Sequence, residues 1–104
     1  MDKIYEASLL FDFYGELLTA HQRQAFEEVV LSDYSLSEVA ADMEISRQGV
    51  HDLVSRTQKA LASYEEKLGC VARFVAIREK AEKIRALTDD PEILKLTEDI
   101  LGEL

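Results

Sequence analysis

The sequence predicts an all-α protein, a small helical bundle containing a helix-turn-helix, with a long C-terminal helical extension. Three observations predict it. Apolar residues recur at three-and-four spacing along most of the chain, the period of one helix face. No alternating strand pattern survives for five residues. The single proline does not occur until Pro91, and turn-type residues cluster at a few short junctions.

The first helix is expected from Lys3 to Leu18. Ile4, Ala7, Leu10, Phe11, Tyr14, Leu17 and Leu18 form one apolar face, which Leu9 and Phe13 widen, so the helix is expected to be well buried. Thr19 followed by Gln22 spells a capping box and opens a second helix, Ala20 to Leu31, with Phe26, Val29 and Val30 inward. Asp33 and Tyr34 make the connection. Ser35 followed by Glu38 is a second box, opening a short helix from Leu36 to Met43. Its apolar positions are Leu36, Val39, Ala40 and Met43.

Glu44, Ile45 and Ser46 form a three-residue turn. Glu44 stands where glycine is common, which calls for a positive φ. Ser46 is the expected N-cap of the next helix, which starts at Arg47. Val50, Leu53, Val54, Thr57 and Leu61 share one side of it. The other side carries Arg47, Gln48, His51, Asp52, Ser55 and Arg56, with Lys59 beyond.

A heptad-like stripe of Leu61, Tyr64, Leu68, Val71 and Val75 continues from there. It drifts to Phe74, Ile77, Ala81, Ile84 and Leu87. Gly69 costs helix stability, so it marks either a break near Lys67 to Cys70, the favoured reading, or a close approach of another helix to one uninterrupted rod. Asp90 as N-cap with Pro91 at the first helical position starts a last helix, Pro91 to Leu101. The expected organisation is a helical domain over 1–66 and an extension over 67–104 that serves as an oligomerisation or partner arm.

Charge makes the reading harder before it makes it easier. The 104 residues carry 12 Lys+Arg against 21 Asp+Glu, a net charge of −9. That total gives no global help in finding nucleic acid. Residues 1–34 and 88–104 each carry net −5, whereas 35–64 stand at −1 and 65–87 at +2. A local basic site is therefore compatible with an acidic chain.

Other function classes find little support. No apolar run reaches the roughly 20 residues of a membrane span, and no basic stretch precedes an apolar one as a signal peptide requires. One cysteine, Cys70, makes no internal disulfide and fits a reducing cytoplasm. It lies among Leu68, Val71 and Phe74, so an inert buried thiol is expected. His21 and His51 lack metal-ligand spacing, and the paired carboxylates are sequence neighbours that diverge on a helix. There is no phosphate-cradling glycine loop and no nucleophile elbow. No enzyme, cofactor, metal or small-molecule substrate is expected.

A short helix, a tight turn and a longer helix make a helix-turn-helix, whose second helix offers its first turns to a DNA groove. Arg47, Gln48, His51, Ser55, Arg56 and Lys59 are the candidate nucleic-acid-binding residues. Arginine takes guanine in bidentate fashion, glutamine takes adenine, and serine bonds a phosphate or a base edge. Asp52 on the same face opposes phosphate. The same helical pair also occurs in bundles that bind no DNA.

Leu10 to Thr19 with Gln22-Arg23, then Asp33 to Ala40, Ile45 to Val50 and Tyr64 to Leu68, resemble the YlxM-type family of small helix-turn-helix proteins. The resemblance covers about residues 4–75. The motif is similar to the fourth region of bacterial sigma factors, which implies a winged-helix-superfamily type without a wing. The resemblance implies a DNA-binding regulatory protein associated with the signal recognition particle pathway. The alternative it leaves open is an accessory protein that binds the particle's RNA or its GTPases. Residues 88–104 read as an extra acidic helix outside the family motifs. The broad stripe from Tyr64 to Leu87 packs either on the first helix or on a second copy, and a homodimer is expected, which would double the few basic contacts.

Overall fold

The computed structural model describes residues 2–104. Six α-helices and no strand occur among them, so the protein is all-α. It divides into two compact units, one up to Leu68 and one from Gly69 to Leu104.

The first unit is built from four helices. α1 spans Lys3–Tyr14 and is capped by Asp2, whose carboxylate accepts from the amides of Ile4 and Tyr5. It ends earlier than the apolar periodicity suggests. A tighter 3₁₀ turn, Gly15–Leu17, follows and leads into extended Leu18. The change of pitch takes Leu17 off the buried face, where it is 56% exposed, while Leu18 is buried. The predicted face is otherwise only partly covered. Leu9 and Tyr14 are buried, but Ile4 and Phe13 are exposed.

α2, Ala20–Phe26, opens on a capping box in which Thr19 and Gln22 exchange bonds of 3.2 and 3.0 Å. Its helix then widens over Glu27–Leu31, with the Ser32 amide reaching back to the Glu27 carbonyl at 2.9 Å. Asp33 follows at φ 58°, turning the chain toward α3. Phe26 is fully buried and stacks on Phe11, ring centroids 5.7 Å apart.

α3, Leu36–Met43, starts on the second box, Ser35 with Glu38. α4, Arg47–Leu68, is the longest element. Ala25, Val39, Ala40, Val50 and Val54 form the core where α2, α3 and α4 meet. Small and β-branched side chains let the three axes approach closely. Farther along α4, Thr57 and Leu61 are fully buried, and the Thr57 hydroxyl donates to the Leu53 carbonyl at 2.7 Å. Tyr14 closes this end of the unit by donating its hydroxyl to Glu65 Oε1 at 2.6 Å.

The chain breaks after Leu68, where Gly69 adopts φ 65°, and α5 runs Cys70–Leu87. The junction Thr88 to Asp90 reverses the chain into α6, Pro91–Gly102. Asp90 caps α6 by accepting from the Glu92 amide at 2.9 Å, with Pro91 in its first turn. α5 and α6 pack as a helical hairpin, with Ala81 and Thr97 each 2% exposed. Cys70 is half-buried rather than sealed, with the Arg73 guanidinium 3.9 Å from its sulfur.

Candidate nucleic-acid interface

The site is built where α3 and α4 meet. Glu44 ends α3 in the left-handed conformation, φ 58° and ψ 40°, and its amide bonds the Ala40 carbonyl. The Ile45 amide also reaches the Ala40 carbonyl, at 3.1 Å. This bonding ends one helix and aims the next within three residues. Ser46 accepts from the Gly49 amide at 2.9 Å and caps α4. Ile45 fills the angle between the helices only in part, since it lies beside Gly49 of α4 but is 42% exposed. Val50, with no exposure, and half-buried Leu53 fill it from α4. Gln24 ties α2 to α3 through Asp42 at 2.9 Å.

Fixed this way, α4 turns Arg47, Gln48, His51, Asp52, Arg56 and Lys59 to solvent. Ser55 lies among them by helical spacing but is half-buried, so its hydroxyl is less accessible than its sequence position suggests. The first turns of α3 and α4 open onto one shared depression lined by Leu36, Ser37, Ser46, Arg47, Gln48 and His51. Helix starts leave amides without intrahelical partners, and both dipoles favour an anion there.

Asp52 is not a bystander on this face. Its Oδ1 accepts from Gln48 Nε2 at 2.9 Å and stands 3.6 Å from His51 Nδ1. The sequence marks Asp52 as a charge opposing phosphate. It does not reveal that Asp52 also holds the amide of a candidate reader, although the four-residue spacing permits that pair.

The basic residues of α5 do not form one stripe. Arg73, Lys80 and Lys83 are exposed and lie along one edge of α5 by their spacing. Arg85 is exposed elsewhere, and Arg78 is half-buried with its guanidinium 5.5 Å from the Phe74 ring centre.

A short capped helix, a left-handed turn residue and a second helix with an exposed polar start define a helix-turn-helix protein. The chain belongs to the UPF0122 family, described as "Putative helix-turn-helix protein, YlxM / p13 like", whose model matches residues 1–100. A UPF0122 protein of Thermoanaerobacter sp. (strain X514) is 47% identical over 104 residues, covering 93% of this chain and 89% of the relative. One of Acetivibrio thermocellus is 40% identical over 114 residues, covering all of this chain and 97% of the relative. One of Oceanobacillus iheyensis is 42% identical over 93 residues and covers 89% of each. These matches correct the expectation that the last helix is an addition to the family. The family pattern extends through nearly all of α6. No described helix is long and apolar enough to cross a membrane.

Proposed function

We propose that this chain is a DNA-binding regulatory protein that reads its site with α4 and acts in the cytoplasm as a homodimer. The observation that carries the reading is the exposed start of α4, where Arg47, Gln48 and His51 lead and Arg56 and Lys59 follow. The buried side of the same helix is fixed by Val50 and Val54. In this reading Arg47 and Gln48 approach base edges, and Arg56 and Lys59 contact phosphates. The converging starts of α3 and α4 receive a phosphate oxygen. Three cations give few released counterions, so binding by one copy is weak and salt-sensitive, and two copies bring two readers to two half-sites. The resemblance to the YlxM-type family supports a role connected with the signal recognition particle pathway.

The test is fluorescence anisotropy with labelled genomic fragments at low and moderate salt. Wild type is expected to bind in a salt-dependent manner, and an Arg47→Ala/Arg56→Ala variant to bind much more weakly. Equal signals from the two would remove α4 as the reader.

The second reading, an accessory protein that contacts the particle's RNA or GTPases, is favoured by one feature, the exposed edge of Arg73, Lys80 and Lys83. Pull-down with purified particle RNA and GTPases separates it from the first. Complex formation that survives the Arg47→Ala/Arg56→Ala change supports this alternative.

A further inference from the structure

The α5–α6 hairpin leaves apolar side chains of both helices exposed along one face. Ile77 on α5 and Leu96, Ile100 and Leu104 on and just after α6 line one groove, with Asp99 and Glu103 at its margin. Ile84 and Ile93 extend it toward the other end of the hairpin, and both are exposed. The spacing is regular. Ile77 and Ile84 are seven apart, and Ile93, Leu96 and Ile100 follow a three-then-four step, the spacing of helices that pack on other helices. A contiguous apolar surface of this kind marks an interaction site.

The two margins carry opposite charge. On α5, Arg73, Lys80 and Lys83 recur at intervals of seven and three, and all are exposed. On α6, Glu92, Asp99 and Glu103 recur at seven and four, and all are exposed. The face therefore runs from a basic edge across an apolar seam to an acidic edge. Because the helices are antiparallel and Ile77 shares a groove with residues 96 to 104, Arg73 lies level with Glu103. By the same count Lys80 falls level with Leu96, about 4.5 Å along the axis from Asp99, and Lys83 falls level with Ile93, next to Glu92.

We propose that this face pairs with the same face of a second copy of the chain, with the twofold axis running along the hairpin. That operator lays the basic edge of each copy over the acidic edge of the other, twice, because the interface is isologous. An axis running across the hairpin would set basic edge on basic edge, and the charge pattern opposes it. The product is a four-helix bundle in which the α5 of one copy covers the α6 of the other. Asp99 already meets Lys95 at 3.5 Å on its own helix. That exposed pair is weak and leaves the carboxylate able to take a second cation. This inference deepens the homodimer of the functional reading, and its test uses no DNA, so either can fail without the other.

The experiment is sedimentation velocity of the full chain across a concentration series, without nucleic acid. Wild type is expected to sediment as two chains of 11.8 kDa each. Ile100→Glu should weaken pairing at least about tenfold, while its thermal melt by circular dichroism at low concentration stays that of a folded helical protein. Lys80→Glu and Asp99→Lys should each weaken pairing about threefold, and the two together should restore it. Three results would overturn the proposal. One is a wild type that remains a single chain at its highest soluble concentration, which would leave the face to a different partner. Another is a dimer indifferent to Ile100→Glu. The third is a double charge variant that pairs no better than either single one.

Discussion

Gln48 Nε2 donates a 2.9 Å hydrogen bond to Asp52 Oδ1, one helical turn further along α4. The reading face thus restrains one of its own readers with its own acid. To contact a base, Gln48 must leave this bond, and Asp52 must sit near phosphate charge. Asp52→Ala removes both costs. We expect it to bind DNA about three- to tenfold more tightly than wild type at low salt, with the gain shrinking as salt rises. Anisotropy titrations at two salt concentrations measure this, and unchanged affinity would place the contact surface elsewhere.

The cations on the same helix should act in the opposite sense. Arg47→Ala and Arg56→Ala each remove an exposed guanidinium from the face, without touching the core residues Val50 and Val54. Each is expected to cost about 1–3 kcal/mol of DNA binding. Where the lost contact is to phosphate, the slope of log affinity against log salt should fall by about 0.9. A loss of affinity with an unchanged slope would assign that arginine to a base edge instead.

Glu44 holds the turn in the left-handed conformation at φ 58°, which strains any residue with a Cβ. Glu44→Gly should therefore raise stability by about 1 kcal/mol in urea unfolding, since glycine takes this helix-ending position freely. A loss of stability would mean that the glutamate side chain makes a compensating contact.

That turn also shows which features a sequence carries openly. Glu44 is legible because one helix must end after Met43 and the next must start after Ser46, and Glu44 is the first of the two residues between them, where a helix-ending reversal falls. The Thr19–Gln22 and Ser35–Glu38 boxes are local, since both partners lie within one turn. The early end of α1 is not legible, because Leu17 and Leu18 extend the helical period while Gly15 starts a tighter turn that takes Leu17 out to solvent. The widened turn at Glu27–Leu31 is equally silent, as no residue type demands it. On the reading face, sequence spacing identifies which side chains share a side of α4. It cannot give the half-burial of Ser55 or the bond that occupies Gln48, because both depend on how neighbours pack.

Tyr14 and Glu65 are 51 residues apart and meet at 2.6 Å, a contact joining the end of α1 to the far part of α4. The Tyr14 ring is 2% exposed and lies 5.9 Å from that of Tyr64. Tyr14→Phe keeps the ring and removes the donor to a half-buried carboxylate, so it should cost about 1.5–3 kcal/mol. Glu65→Gln should cost less, because an amide oxygen still accepts the bond. Chemical denaturation of both variants checks the order, and equal costs would mean that the bond depends on the carboxylate charge, which the amide oxygen does not replace.

Two glycines near the ends of the second unit should respond to alanine with opposite signs. Gly69 sits at φ 65°, and a Cβ there would lie 3.3 Å from Arg73 Nη1. Arginine can move its far end, so the backbone conformation and not the contact sets the cost of Gly69→Ala, about 1 kcal/mol. Gly102 ends α6 with ordinary helical geometry, and nothing lies within 4 Å of where its Cβ would be. There alanine only reduces the freedom of the unfolded chain and favours the helix, so Gly102→Ala should gain up to about 0.5–1 kcal/mol. Thermal unfolding of the two variants beside wild type reads both signs at once. If Gly69→Ala proved as stabilising as Gly102→Ala, the left-handed break would not be required, and α4 could run on into α5 at no cost.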